Sequence, residues 1–131
     1  MRSIPVGAKG SFVLLVTPEH LANRFKDATL PPVLATPIMI MMMENAALNA
    51  IKPYLDANQS ALGTRVDVRH LAATPAGRSV TANAEVTEVD GRHIEFRIDA
   101  KDGTEEIGAG IHERMIIDLA KFTERLKAKF A

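Results

Sequence analysis

The 131-residue chain contains no cysteine, which excludes disulfides, thiolate metal sites and a cysteine nucleophile. It also lacks an excess of either charge. Sixteen basic residues meet 16 acidic ones, so nothing in the balance draws it to nucleic acid or to acidic lipid. The first residues, Met1-Arg-Ser-Ile-Pro-Val-Gly, have no apolar core of the kind a signal peptide needs. No apolar run approaches the roughly 20 residues of a membrane span. A soluble cytoplasmic protein without nucleic-acid or membrane partners is therefore the expectation. Repeats, low-complexity tracts and linkers are missing as well, and the length suffices for a hydrophobic core, so residues 1–131 are expected to form one domain. There is no His-Glu-x-x-His pattern, and His20, His93 and His112 have no metal-ligand spacing; no metal is expected. Gly108-Ala-Gly110 lacks the rest of a dinucleotide fingerprint.

What is present is a segment from Thr36 to Ile51 in which every residue from Ile38 to Met43 is apolar. A helix that is hydrophobic all round is buried unless it spans a membrane, and this run is far too short to span one. Met, Ala and Leu favour helix over strand here. Thr36 suits an N-cap, Pro37 suits the first helical position, and Pro53 ends the helix near Lys52. The spacing predicts one central helix over about 37–52, wrapped by the rest of the chain.

Residues 8–17 have the composition of a strand. Thr17-Pro18-Glu19 marks the start of a short helix over about 18–26, and Asp27 to Val33 form a loop ending in Pro31-Pro32. Four strands follow: 63–72, 79–89 with a register change near Val89, the alternating stretch around Ile94, Phe96 and Ile98, and 104–117. Asp90-Gly91 and Asp102-Gly103 are hairpin signals, and Gly108 and Gly110 mark bulges or a close backbone approach. From Asp118 the period becomes helical, with Leu119, Phe122, Leu126 and Phe130 on one stripe. This order predicts an α+β fold.

Three residues stand out chemically. Glu44 lies where a buried helix wants another apolar residue, and a buried carboxylate is costly to ionise unless it is paired; the alternative is that it emerges at the helix surface or at a subunit contact. Thr36 lies where the first N–H groups of a helix can polarise an oxyanion, although capping alone would account for it. Period two places His70 on the apolar face of its strand with Val66 and Val68. An imidazole there suits general acid–base work if a substrate reaches it, and is otherwise a core residue. The Met cluster at 39 and 41–43 is core filling.

Together these residues resemble the hot-dog thioesterases of the fluoroacetyl-CoA thioesterase type. The resemblance lies in Leu34-Ala-Thr36 with Glu44 eight residues on, in Leu62-Gly-Thr with Val68-Arg-His70-Leu-Ala-Ala-Thr-Pro, and in the segment from Asp102 to Arg114; it spans about residues 6–128. It implies a hot-dog fold, a curved antiparallel sheet wrapped around the central helix with a C-terminal helix. It further implies hydrolysis of an acyl-CoA to the free acid and CoA, with Thr36, Glu44 and His70 as the catalytic set. Glu44 would attack the thioester or activate a water, His70 would handle protons, and Thr36 would position substrate or stabilise charge. By the same resemblance, Gly63 brings backbone N–H groups to the thioester and the lid segment bearing Phe25 and Leu30 meets the substrate. No cofactor is implied beyond the CoA of the substrate, and a homodimer with its site near the interface is expected. Members specialised for fluoroacetyl groups carry aromatic residues in the lid just before the threonine. This chain offers only Phe25 there, so a different, short or medium acyl group is expected. Two other readings fit the same fold: an acyl-CoA or acyl-ligand binding module without catalysis, and a dehydratase or hydratase.

Overall fold

Apolar–polar alternation sets the strands and a 3.6-residue period sets the helices, and in the computed structural model, which describes residues 2–131, the elements fall near those positions. The strands are β1 Lys9–Leu15, β2 Gln59–His70, β3 Ser79–Asp90, β4 His93–Lys101 and β5 Glu106–Asp118; the helices are α1 Ala22–Phe25, α2 Thr36–Ile51 and α3 Leu119–Lys129. All strand pairs are antiparallel, in a single sheet of order β1-β3-β4-β5-β2 that curls around α2. This is the expected α+β hot-dog arrangement.

Helix α2 buries Met39, Met42, Met43, Ala46, Ala47, Ala50 and Ile51. They face Val80, Ala82, Ala84 and Val86 of β3 and Ile94, Phe96, Ile98 and Ala100 of β4, all buried. Small residues let the helix sit close. A Cβ at Gly10 would collide with the backbone of Ala46 and Ala50, and one at Gly108 would lie 2.5 Å from the Met39 sulfur. The glycines of β5 thus mark close approaches, to α2 at Gly108 and to the β2 backbone at Gly110. The helix is not buried all round. Ile38, Ile40, Met41, Glu44, Asn45 and Leu48 are only half-buried, because the sheet covers one flank and leaves the other open.

Three local predictions change. Thr36 is not the N-cap: Ala35 is, and Thr36 is the first helical residue. The helix expected over 18–26 is split into a 3₁₀ turn, Pro18–His20, and α1, because Leu21 turns extended (ψ 145°) and bridges to Leu34. In β2 the register shifts between Gly63 and Arg65, leaving Thr64 as a bulge. A bulge inverts the alternation beyond it, so Gly63 and His70, which strict period two puts on opposite faces, both look toward α2.

The loop before α2 is pinned at a distance. Asp102 accepts hydrogen bonds from the N–H groups of Thr104 and Glu105 and from the Thr74 hydroxyl, while the Thr74 carbonyl accepts from Leu34 N at 2.8 Å. At the other end Asp118 caps α3 by accepting from Lys121 N. The apolar stripe of α3 stays uncovered, with Phe130 at 74% exposure. Among the described residues no helix is long and apolar enough to cross a membrane.

Because the clash at Gly10 is with backbone rather than a flexible side chain, Gly10→Ala forces α2 off the sheet. We expect about 1–3 kcal/mol of lost stability, measured as a lower urea midpoint with an unchanged denaturant slope.

Candidate active site

Helix α2 carries two of the three singled-out residues and β2 supplies the third. Thr36 opens the helix and His70 closes the strand, and the Thr36 hydroxyl lies 2.7 Å from His70 Nδ1. They share a cleft of about 420 Å³ with Lys26, Leu30, Pro31 and Val33 of the lid segment and with Leu71 and Ala72 beyond β2. Leu30 lines this cleft. Phe25 does not: it is 51% exposed at the end of α1, and among the described residues no Phe or Tyr ring lines the cleft. At the head of the helix Pro37 has no N–H and Ile38 N donates to Ala35 O at 3.0 Å, so neither offers an N–H to a ligand.

Glu44 follows Thr36 by eight residues, or about 12 Å of helix rise. The structure therefore does not bring it to the Thr36–His70 pair within one chain. Its carboxylate instead faces Gly63: a Cβ there would lie 2.9 Å from Glu44 Oε2, 3.3 Å from His112 Cε1 and 3.8 Å from Arg114 Nη1. The missing side chain at Gly63 is what leaves room for the carboxylate at the strand.

Arg114 and His112, both on β5, are the residues at this centre that sequence reasoning missed. Arg114 is buried and joins three elements: Nη2 donates to Ala61 O on β2, and Nη1 donates to Glu44 O on α2 (3.4 Å) and to His112 Nε2 (3.1 Å). Its Nε is buried with no partner among the described residues. A guanidinium only donates, so His112 Nε2 must be unprotonated and the ring proton must sit on Nδ1, where it is given to Arg65 O at 2.7 Å. The pattern that held a clue is the run Gly108, Gly110, His112, Arg114, which shares one face of β5. Two glycines against the helix and the edge strand imply that the polar pair points inward too. His93 ties β4 to Glu113 on the opposite face, 2.6 Å from its carboxylate.

Burial holds both imidazoles below their ordinary pKa. At His70 desolvation dominates, opposed by the backbone of Ala72. At His112 desolvation is again the largest cause, opposed by the hydrogen bond to Arg65 and reinforced by the charge of Arg114. Burial also lowers the Arg114 pKa, against the pull of the Glu44 carboxylate. His70 Nε2 is buried and has no partner among the described residues. The arrangement provides a neutral imidazole on a hydroxyl at one place and a carboxylate beside a buried cation at another. A base, a positioned hydroxyl and a charge-stabilising group are the parts that acyl transfer requires. Among the described residues no three His, Asp or Glu side chains converge as a metal site.

Residues 16–120 match the family model for the fluoroacetyl-CoA-specific thioesterase, FlK. A fluoroacetyl-CoA thioesterase from Streptantibioticus cattleyicolor is 45% identical over 102 residues, 78% of this chain and 73% of that protein. The crystal structure of the fluoroacetyl-CoA thioesterase FlK superposes with a TM-score of 0.90 at 38% identity, covering 97% of this chain and 98% of that one. A Thermus thermophilus protein described as a thioesterase superfamily member superposes at 0.88 with 33% identity, over 99% and 98% of the two chains.

A folded-state pKa below the unfolded value means that the unfolded chain binds more protons between the two, so His70 and His112 both reduce stability as pH falls below about 6.5. In a two-dimensional NMR titration both rings should still be largely neutral at about pH 6.5, where a free imidazole is half charged. Midpoints at or above that value would contradict the burial seen here.

Proposed function

Because the chain belongs to the fluoroacetyl-CoA-specific thioesterase family and is an acyl-CoA thioester hydrolase, we propose that Thr36, Glu44 and His70 carry the hydrolysis, with Glu44 supplied by a second copy of the chain. The carrying observation is the 2.7 Å hydrogen bond between the Thr36 hydroxyl and His70 Nδ1, in a cleft that holds no carboxylate of its own. Glu44 takes a proton from water, and the water oxygen bonds to the thioester carbon. The Thr36 hydroxyl and the positive end of α2 stabilise the oxyanion. As the C–S bond breaks, the departing CoA sulfur takes up the proton with neutral His70 as relay. No cofactor beyond the CoA of the substrate takes part.

The dimer is supported by strand β2, which is an edge of the sheet and exposed from Leu62 to Asp67. Such an edge is a template for pairing with another chain. In antiparallel pairing about a two-fold axis, an axis at Asp67 is equidistant from Gly63 and His70, because the bulged Thr64 takes no place in the ladder. It would set Gly63 of one copy, with Glu44 beside it, against His70 and Thr36 of the other, one strand spacing of about 4.8 Å away. The cleft lined by Leu30, Pro31 and Val33, without an aromatic ring, suits a short or medium acyl group larger than fluoroacetyl.

A second route is favoured by the same short hydrogen bond: His70 takes the Thr36 proton, the Thr36 oxygen attacks the thioester carbon, the C–S bond breaks with CoA leaving as the thiol on that proton, and water then hydrolyses the acyl ester. Mass spectrometry of acid-quenched enzyme separates the two, since only the second leaves an acyl group on Thr36.

Release of free CoA thiol from a panel of acyl-CoAs, fluoroacetyl-CoA included, is expected to favour short or medium acyl groups, and Glu44→Gln and His70→Ala should each lower kcat/KM at least about a hundredfold. A loss below tenfold in either would remove that residue from the catalytic set. Mixing the two inactive variants tests the shared site. Half of the dimers become mixed and each holds one complete site, so about a quarter of wild-type activity should return; a site built within one protomer would give none.

A further inference from the structure

We propose that His112 is a positioning residue of the hydrolytic site: fixed as the Nδ1–H tautomer, it presents Nε2 as the acceptor that holds the Arg114 guanidinium beside the Glu44 carboxylate. The assignment builds on the proposed role of Glu44.

Every degree of freedom of the ring is taken. His112 is fully buried. Its Nδ1–H is given to Arg65 O on β2, its Nε2 receives Arg114 Nη1, and its face stacks on Phe96 of β4 with ring centroids 5.8 Å apart and planes 28° apart. Arg114 cannot be held equally well by any group that must donate. Of its five N–H bonds, those on Nη2 and Nη1 find Ala61 O, Glu44 O and His112 Nε2, and Nε has no partner among the described residues. The bond to Glu44 O is long at 3.4 Å, so the imidazole and Ala61 O are the anchors that set where the guanidinium sits.

That placement matters because the guanidinium ties α2 to β2 at the level of Gly63, where the Glu44 carboxylate meets the strand. Around His112 the charged groups are Arg114 on its own strand, Glu44 across on α2 and Glu113 beside it; Glu113 is already engaged by Arg65 and His93 on the far face of the sheet. A proton on Nε2 would therefore set two cationic donors against each other at 3.1 Å and free the guanidinium from its place.

Two substitutions separate holding Arg114 from merely filling the core. Glutamine carries its amide oxygen to the position of Nε2 and keeps the acceptor for Arg114. Asparagine reaches only the position of Nδ1 and keeps the donor to Arg65 O. We expect His112→Gln to stay within a few-fold of wild-type kcat, and His112→Asn to lose about ten- to a hundredfold in kcat with KM little changed. The acid limb of the wild-type kcat/KM profile should reflect both His70 and His112, and in His112→Gln it should become shallower by one proton.

Equal kcat in the two variants, or losses that follow only their melting temperatures, would overturn the assignment. If neither variant folds, nitrogen-15 spectra of the wild-type ring decide. A protonated Nδ1 beside a bare Nε2 at neutral pH is required, and an Nε2–H tautomer or a cationic ring refutes it. Glu44→Gln measured alongside keeps the two ideas apart. An inactive Glu44→Gln with a fully active His112→Asn sinks only the positioning role, whereas an active Glu44→Gln sinks the catalytic reading on which it builds.

Discussion

The close seating of α2 on the sheet is the constraint on which the other features depend. It requires glycine where β1 passes Ala46 and Ala50, alanine at 82 and 84 on β3, and glycine again beneath Met39. Interiors are packed at crystalline density, so a helix held this closely has little freedom to slide or rotate. Thr36 and Glu44 are both mounted on that one rigid element, Thr36 at its first turn and Glu44 two turns on. Two side chains on a shared helix keep a fixed separation, and the partners they find are decided by the strand that passes them.

That strand is β2, and its irregularity has a consequence. Without the bulge at Thr64, Gly63 would face away from the helix and the Glu44 carboxylate would meet a side chain of the ordinary alternation. With it, Gly63 and His70 both look toward α2, and the same strand serves the Thr36 end and the Glu44 end. Being an edge strand, β2 also exposes its unpaired backbone to solvent just where these two residues lie. A bulge at an edge re-aims side chains at little cost to the remaining ladder.

Electrostatics divides the site in two. At the Thr36–His70 end burial lowers the imidazole pKa and the backbone of Ala72 opposes it. The Glu44 end combines a carboxylate with a buried guanidinium that is anchored to two backbone carbonyls and an imidazole. A buried cation with all but one of its nitrogens engaged holds its geometry, which is how a preorganised site avoids reorganising during reaction. The Thr74–Asp102 contact holds the loop leading into α2 through the bond from Leu34 N to Thr74 O.

The residues by themselves determined the order of the elements, the buried character of α2, the two tight hairpins and the distinctiveness of Thr36, Glu44 and His70, because each is written in local periodicity, turn chemistry or a polar residue set among apolar ones. Thr36 as helix cap was a local inference that failed, since its hydroxyl is drawn to an imidazole 34 positions away and Ala35 takes the cap position. The break at Leu21, the phase change at Thr64, the open flank of α2 and the Arg114–His112 pair were decided by tertiary structure. Only the alternation Gly108, Gly110, His112, Arg114 hints at the last of these, and the others leave no local trace: a bulge appears only when two strands are placed in register, and a buried guanidinium shows its purpose only once the carbonyls and the imidazole that receive its N–H groups converge on it from three separate elements.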